Sequence, residues 1–349
     1  MRDVSIIVPV YNGEKTIAAC LDSLLRQKLD AFSVEVVVID DGSSDRTEDI
    51  CRAYESRWPE LIRYFRKEKN VGVSAARNLG LSVHSGSYVG FVDCDDTVAE
   101  DYLLCLLQGM SEDVDLVCCG YEAIIDGRSF RQGFFEQSCV LSTETEKEEF
   151  FLRLLNDDYG QPGGQKRVTA VGVPWGKLFR SSIIRKNELR FPEKLRRSED
   201  NLFVSYYAAL CGAIRYVDLP LYRYNVAHSR DIYNRFLPED YRAILAERDR
   251  FFAVAGISET SRLNAFRCAE KAVMLNSAIK NIVLHHPRSD ALQKIRALAD
   301  CPEFRFPAEK ISKKELTDKQ RIYLFLYGLF RRGRYGLLDT IWRQFYRLR

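Results

Sequence analysis

Long apolar runs are missing from this 349-residue chain: none approaches the roughly 18 uninterrupted apolar residues that a membrane-spanning helix needs. The N-terminus lacks the basic stretch and apolar segment of a secretory signal and enters a strand pattern by about Val4. The ten cysteines show neither the paired spacing of a metal site nor the pattern of a disulfide scaffold, so they read as reduced, buried thiols. Internal repeats and low-complexity segments are absent. Both phosphate-cradling glycine signatures are absent too, because the first strand is followed by a single Gly13 and no Lys follows a glycine run. Together these absences lead to the expectation of a cytoplasmic globular protein.

What is present is an ordinary core-forming composition, 46% hydrophobic and 29% charged, with material for one large domain and an appendage, or for two domains. The net charge of +3 hides an asymmetry: residues 310–349 hold eleven Lys and Arg against three Asp and Glu, so the body of the chain is slightly acidic. An acidic body gives no reason to expect a nucleic-acid partner. Val4 to Val10 and Val34 to Ile39 are continuous β-rich runs, as in strands buried on both faces. Amphipathic helical spacing follows each, and a short strand near Leu61 to Phe65 precedes the small-residue helix that starts around Val73. Repeated strand and helix units predict an α/β fold with a mostly parallel sheet. A third buried strand, Tyr88 to Val92, empties into Asp93, Asp95 and Asp96.

After Ala99 to Met110, a helix, the alternation becomes irregular. Strands are expected at Val114 to Ala123 and Ser129 to Phe135, a helix at Glu144 to Leu155, and a polar Gly-rich loop over 156–167. Ser198 is placed to cap a helix running from Glu199 to Cys211, with Glu199 and Asp200 in its first turn. From Pro238 onward the chain reads as helical. Domains are therefore expected at 1–225 (α/β), 226–309 (helical) and 310–349 (basic tail).

In α/β sheets ligands gather at the carboxyl ends of strands. Asp40 and Asp41 fall at that edge after the second strand, and Asp93, Asp95 and Asp96 after a later one. Pro9, Val10 and Tyr11 offer an apolar, aromatic ledge for a flat base. Carboxylates accept hydrogen bonds from a base or from ribose hydroxyls, and Arg77 reaches carbonyl or phosphate oxygens. This set describes a nucleotide pocket in which a divalent cation, held by the acidic cluster, neutralises a diphosphate.

Four segments in register, Val8-Pro9-Val10-Tyr11-Asn12, Asp40-Asp41-Gly42-Ser43-Ser44-Asp45, Gly72-Val73-Ser74-Ala75-Ala76-Arg77-Asn78 and Asp93-Cys94-Asp95-Asp96, resemble the nucleotide-binding half of family 2 glycosyltransferases with the GT-A fold. Trp175-Gly176-Lys177-Leu178-Phe179 and Glu199-Asp200 resemble the acceptor-side segment of the bacterial members that build surface polysaccharides. The resemblance implies that Pro9, Tyr11, Asp41, Arg77 and Asp93 contact a UDP-sugar donor. It implies that Asp95 and Asp93 hold Mn2+ or Mg2+, with His228 a further candidate near the metal. Asp200 becomes the general base and Glu199 its support in binding the acceptor, a glycan or lipid-linked glycan. One base opposite the leaving group is a single-displacement arrangement, so inversion is expected. Trp175, Lys177 and Ser229 are candidates for acceptor or phosphate contacts, with a core anchor the alternative for Trp175, since Trp in a Pro-Trp-Gly turn serves about as often in that way.

The tail interleaves aromatic and apolar residues (Ile322 to Phe330; Ile341, Trp342, Phe345) with Arg and Lys, the composition of a helix that lies on an anionic membrane surface. A helical hairpin packed on the protein is the alternative. The rival enzymatic reading is a sugar nucleotidyltransferase, which wants a Gly-rich basic loop where this chain has Tyr11-Asn12-Gly13-Glu14. A third reading is an inactive membrane-associated protein that binds sugar nucleotides.

Overall fold

The computed structural model describes residues 3–28, 32–155, 171–226, 238–257, 260–307, 316 and 318–347. The expected loop over 156–167, together with His228 and Ser229, lies outside them. In chain order the first elements are β1 (Val4–Val10), α1 (Ile17–Leu25), β2 (Val34–Asp40), α2 (Thr47–Arg57), β3 (Ile62–Arg66), α3 (Val73–Val83) and β4 (Tyr88–Phe91). Every residue of β1 and β2 is buried, which explains why these strands are apolar without alternation. Next come β5 (Thr97–Val98), α4 (Tyr102–Gly109), β6 (Val114–Ile125), β7 (Arg128–Gln132), β8 (Cys139–Leu141) and α5 (Glu144–Leu155). They are followed by β9 (Lys177–Arg180), α6 (Ser181–Lys186), α7 (Glu199–Leu210) and β10 (Ala213–Asn225). The remainder is helical: α8 (Pro238–Val254), α9 (Ser261–His285), α10 (Arg288–Ala297), α11 (Asp318–Arg331) and α12 (Tyr335–Arg347).

One sheet runs in the order β3-β2-β1-β4-β9-β6-β10-β5, with β7 beside β6 and β8 beside β10. The first four strands are parallel, as repeated strand and helix units require. Beyond β4 the sheet is mixed, because β9 joins both β4 and β6 antiparallel while β6 and β10 pair in parallel. The expectation of a mostly parallel sheet therefore holds for the first half of the sheet. The second half is built from hairpins and long bent strands that hydrophobic periodicity does not orient.

Two compact units divide the chain: Met1–Lys147 with Pro162–Lys194 and Ser198–Arg230, and Glu148–Gln161 with Leu195–Arg197 and Asp231–Arg349. The first contains the whole sheet. Its core between sheet and α7 is aromatic: the Phe191 and Phe203 rings stack at 4.0 Å, and the Phe91 ring meets both edge-on. In the second unit α11 lies along α9, and a buried Arg248–Glu270 pair at 3.0 Å joins α8 to α9. Among the described residues no helix is long and apolar enough to cross a membrane.

Candidate active site

The carboxyl ends of β1, β2 and β4 carry the turns singled out in the sequence, and the structure shows a division of labour within them. The turn after β1 is stapled to the turn after β2: the Asn12 N–H donates to Ser43 Oγ at 2.9 Å, Gly13 N–H to Thr47 Oγ1 at 2.8 Å, and Ser44 N–H to Asn12 Oδ1 at 2.8 Å. Asn12 itself is left-handed, at φ 50°. Gly42 has φ 77°, and a Cβ there would stand 2.7 Å from the Lys69 carbonyl carbon, so glycine is required on two counts. Asp40 is fully buried, accepting from Ser43 N–H at 2.8 Å and from the Tyr64 hydroxyl at 2.6 Å. Asp96 is likewise buried and accepts from the Tyr222 hydroxyl at 2.7 Å and Asn225 N–H at 2.8 Å. Burial, then the Asp93 and Asp95 carboxylates, push Asp96 well above the usual carboxylate range. These two acids hold turns together.

The other acids face a cleft of about 340 Å3 lined by Pro9, Tyr11, Asp41, Arg77, Asp93 and Asp95, together with Asn70, Gly72, Val73 and Ala76. Tyr11 is 47% exposed at its rim. Asp41 Oδ2 accepts from the backbone N–H groups of Val71 (3.0 Å) and Gly72 (2.6 Å), and Oδ1 is ion-paired with Lys67 Nζ at 2.9 Å. Asp41 thus shapes the wall formed by 70–73 as well as facing the cavity. The wall residues Asn70 and Val73 and the partner Lys67 were not foreseen as site residues; only Gly72 and Val73 fall within a recognised motif, and Lys67 carries no local signal at all.

At the inner end of the cleft Arg77 joins two distant parts of the chain. One guanidinium nitrogen donates to Asp93 Oδ1 at 2.9 Å, the other to Asp200 Oδ1 at 2.5 Å. Its Cζ lies 5.3 Å from the centroid of the Phe191 ring, and the side chain is 3% exposed. Burial works against its charge, but Asp200, Asp93 and Glu199 more than offset this. Burial pushes the Asp200 carboxyl up to about 7; Arg77 and Lys177 oppose that rise, while Glu199 and Asp93 add to it. About a quarter of the Asp200 side chain (24%) remains exposed, enough for a substrate hydroxyl to approach. Glu199 and Asp200 open α7 as expected, but Ser198 is left-handed (φ 63°) and makes no side-chain cap.

Two expected contacts are corrected. Trp175 is 3% exposed, stacked on Tyr222 at 4.4 Å and meeting Tyr121 edge-on, so it anchors the core and presents no open face to a sugar ring. Lys177 is fully buried, its ammonium 4.4 Å from the Phe134 ring centroid, and does not reach solvent phosphate. Among the described residues no three His, Cys, Asp or Glu side chains converge as a metal site. Asp93 and Asp95 fit instead a hard cation of the kind bound by one or two carboxylates and completed by substrate phosphates.

The cleft thus lies at the carboxyl edge of the parallel half of the sheet, lined by Asp93 and Asp95, with Asp200 joined to it through Arg77. Residues 5–184 match the pattern of Glycosyl transferase family 2, and the chain belongs to that family and is a glycosyltransferase. The sugar nucleotidyltransferase and inactive-scaffold readings are thereby set aside. It is 30% identical over 281 residues to the uncharacterized glycosyltransferase EpsJ of Bacillus subtilis (strain 168), covering 78% of this chain and 76% of that one. It is 29% identical over 207 residues to the poly(ribitol-phosphate) beta-N-acetylglucosaminyltransferase TarP of Staphylococcus aureus (strain N315), covering 58% of this chain and 56% of that one. The crystal structure of S. aureus TarS 1–349 in complex with UDP superposes with a TM-score of 0.70 at 23% identity, covering 99% of this chain and 92% of that one. The fold is GT-A.

Proposed function

We propose that this glycosyltransferase moves a sugar from a UDP-sugar to a hydroxyl of a glycan or lipid-linked glycan in surface polysaccharide synthesis, with inversion. The observation that carries the reading is the Arg77 bridge, which puts a cleft carboxylate, Asp93, and a partly exposed carboxylate, Asp200, on two nitrogens of one guanidinium. Pro9 and Tyr11 are the ledge for uracil, and Asp41 faces the same cavity. The acceptor oxygen attacks the anomeric carbon as its proton passes to Asp200, the bond from that carbon to the diphosphate oxygen breaks, and UDP departs. Asp93 and Asp95 are the residues that would hold Mn2+ or Mg2+; when bound, such an ion supplies Lewis-acid stabilisation of the departing diphosphate. Glu199 supports the acceptor. A UDP donor is consistent with the TarS complex with UDP-GlcNAc, and a polyol-phosphate acceptor with the activity named for TarP. A panel of nucleotide sugars with Mn2+, read as nucleoside diphosphate release, tests the reading: Asp200→Asn slows release by roughly 100-fold or more while UDP binding persists. Release at the wild-type rate in that variant removes Asp200 from the chemistry.

The tail supplies a second element of the proposal, attachment to the inner face of an anionic membrane. On α11 Ile322 and Phe325 are about 60% exposed, and on α12 Leu337 and Phe345 are about half exposed, near the exposed Arg321, Arg331, Arg332 and Arg334. Basic and aromatic residues together favour anionic lipid. Flotation with phosphatidylglycerol vesicles checks this: the paired variant Ile322→Ser and Phe325→Ser loses most of the bound fraction, whereas undiminished flotation removes the membrane from the proposal.

A further inference from the structure

The main-chain ladder that holds β4 ends just before the acids of the cleft begin. Val92 N–H still donates to the Ile7 carbonyl of β1 at 3.1 Å, but the next amide, Asp93 N–H, donates to a side chain, the Tyr222 hydroxyl of β10 at 3.2 Å. That hydroxyl in turn donates to Asp96 Oδ2 at 2.7 Å. One phenolic oxygen, 129 residues along the chain from Asp93, therefore ties together both ends of the turn formed by Asp93, Cys94, Asp95 and Asp96. Within the turn Asp96 N–H donates to the Asp93 carbonyl at 3.0 Å, and Asp96 Oδ1 accepts from Asn225 N–H at 2.8 Å. These bonds keep Asp96 buried while Asp93 and Asp95 line the cleft. The tyrosine itself is held firmly. It is fully buried, lies opposite Val98 of β5 in the sheet, stacks on the Trp175 indole at 4.4 Å and meets Tyr102 edge-on at 6.3 Å. A ring packed in this way has little freedom to move its hydroxyl.

We propose that Tyr222 is a positioning residue for donor binding: its hydroxyl sets the main chain from Asp93 to Asp96 so that the Asp93 and Asp95 carboxylates meet a divalent cation together. The inference rests on the reading of those two carboxylates as the protein's ligands to the cation. An ion held by only two carboxylates and completed by substrate phosphates loses much of its protein hold when one carboxylate shifts. Asp93 carries a further constraint, because its carboxylate accepts from Arg77 at 2.9 Å and Arg77 also donates to Asp200. Tyr222 thus fixes the backbone of a residue whose side chain faces the cleft, and it does so without lining the cleft itself. Tyr207 provides the contrast. It too is fully buried with a hydroxyl bonded twice, to the carbonyls of Asp115 at 2.7 Å and Arg180 at 3.1 Å, but neither partner lines the cleft. Loss of a buried phenolic hydroxyl is common to both sites, and contact with the acidic turn belongs to Tyr222.

The test compares Tyr222→Phe with Tyr207→Phe, each of which keeps its ring and loses its hydroxyl. Thermal melting first confirms that both are folded. Mn2+ is then titrated in the presence of saturating UDP, and the free ion is read from its electron paramagnetic resonance signal. Tyr222→Phe weakens Mn2+ binding to the UDP complex by about tenfold, since Asp93 N–H and Asp96 both lose their shared partner, whereas Tyr207→Phe stays within about twofold of wild type. Wild-type affinity in Tyr222→Phe overturns the inference. An equal loss in both variants also overturns it, because general loosening then accounts for the effect. A wild-type UDP complex that takes up no Mn2+ overturns the cation reading itself, and the inference with it, before any variant is compared. Should Tyr222→Phe fail to fold, hydrogen exchange of the wild-type Asp93 amide replaces it: an amide held by a buried hydroxyl exchanges slowly, and exchange at the rate of an open loop overturns the inference.

Discussion

Two arginine-carboxylate clusters sit on opposite edges of the same sheet and are built to opposite ends. At the amino edge Glu35 is 3% exposed and accepts hydrogen bonds from Ser5 Oγ at 2.5 Å, Ser85 N–H at 2.6 Å and Arg63 at 2.8 Å. Burial works to raise its pKa, but these donors overcome it and hold the carboxyl at about 2. At the carboxyl edge Asp93 and Asp200 share one arginine, and burial leaves Asp200 near 7. The same pairing of residue types thus gives a carboxylate saturated with donors in one place and, in the other, a partly exposed carboxyl poised near neutrality, the group proposed as the base. A saturated carboxylate holds structure, and an undersupplied one is available for chemistry.

The comparison breaks most sharply at Asp200. Replacing it by Asn keeps the shape and removes the proton acceptor, so kcat falls by roughly 100- to 10,000-fold while the melting temperature is kept or raised. The sign of the second effect follows from linkage. A carboxyl raised to about 7 from an ordinary 3.8 costs stability when ionised, fully above pH 7, and that cost is relieved as pH falls toward 4. Wild-type activity runs the other way, rising with pH as Asp200 ionises through about 7. Steady-state kinetics from pH 5.5 to 8.5 with parallel melting curves check both signs; an acidic limb that persists in Asp200→Asn assigns it to another group.

Glu35→Gln gives a smaller effect of the opposite kind. Activity per folded molecule is unchanged, and stability at pH 7 drops by about 2–3 kcal/mol, because Gln cannot accept from all the donors and leaves Arg63 without its counter-charge. A carboxyl lowered to about 2 from 4.5 contributes stability that is fully present above about pH 4.5 and is lost as pH falls toward 2. The gap between wild type and variant in urea unfolding therefore narrows between pH 5 and pH 3. A gap that stays constant over that range shows that the network, and not the charge, carries the stability.

The buried strands, the alternation through β4 and the acidic turns were legible because each is written in consecutive residues. Asp40-Asp41-Gly42-Ser43-Ser44-Asp45 was legible as a motif but not in its internal roles: Asp41 faces the cleft, while Ser43, Ser44 and Asp45 staple loops to Asn12 and Glu14. The contact of Arg77 with Asp200 spans 123 residues and has no local periodicity; the resemblance named the two residues in separate roles, and nothing in the sequence pointed to their pairing. Lys177 was misplaced for a related reason. A strand that joins the sheet antiparallel between β4 and β6 is buried on both faces, and a short Lys-Leu-Phe-Arg segment does not reveal this. Polarity then suggested a surface that the fold does not provide.

Trp175 offers the smallest and most discriminating test. Its indole stacks on Tyr222 at an interplanar angle of 10° and on Tyr224 at 24°, and meets Tyr121 edge-on, so the ring joins β10 to β6. Trp175→Phe keeps a stacking ring but leaves a void the size of the lost ring, at a cost of about 1–2 kcal/mol in urea unfolding. KM for donor and acceptor stays within about twofold of wild type, because the side chain is buried and does not line the cleft. A tenfold rise in acceptor KM at unchanged stability would return Trp175 to the acceptor site and require the Tyr222 stack to open during the reaction.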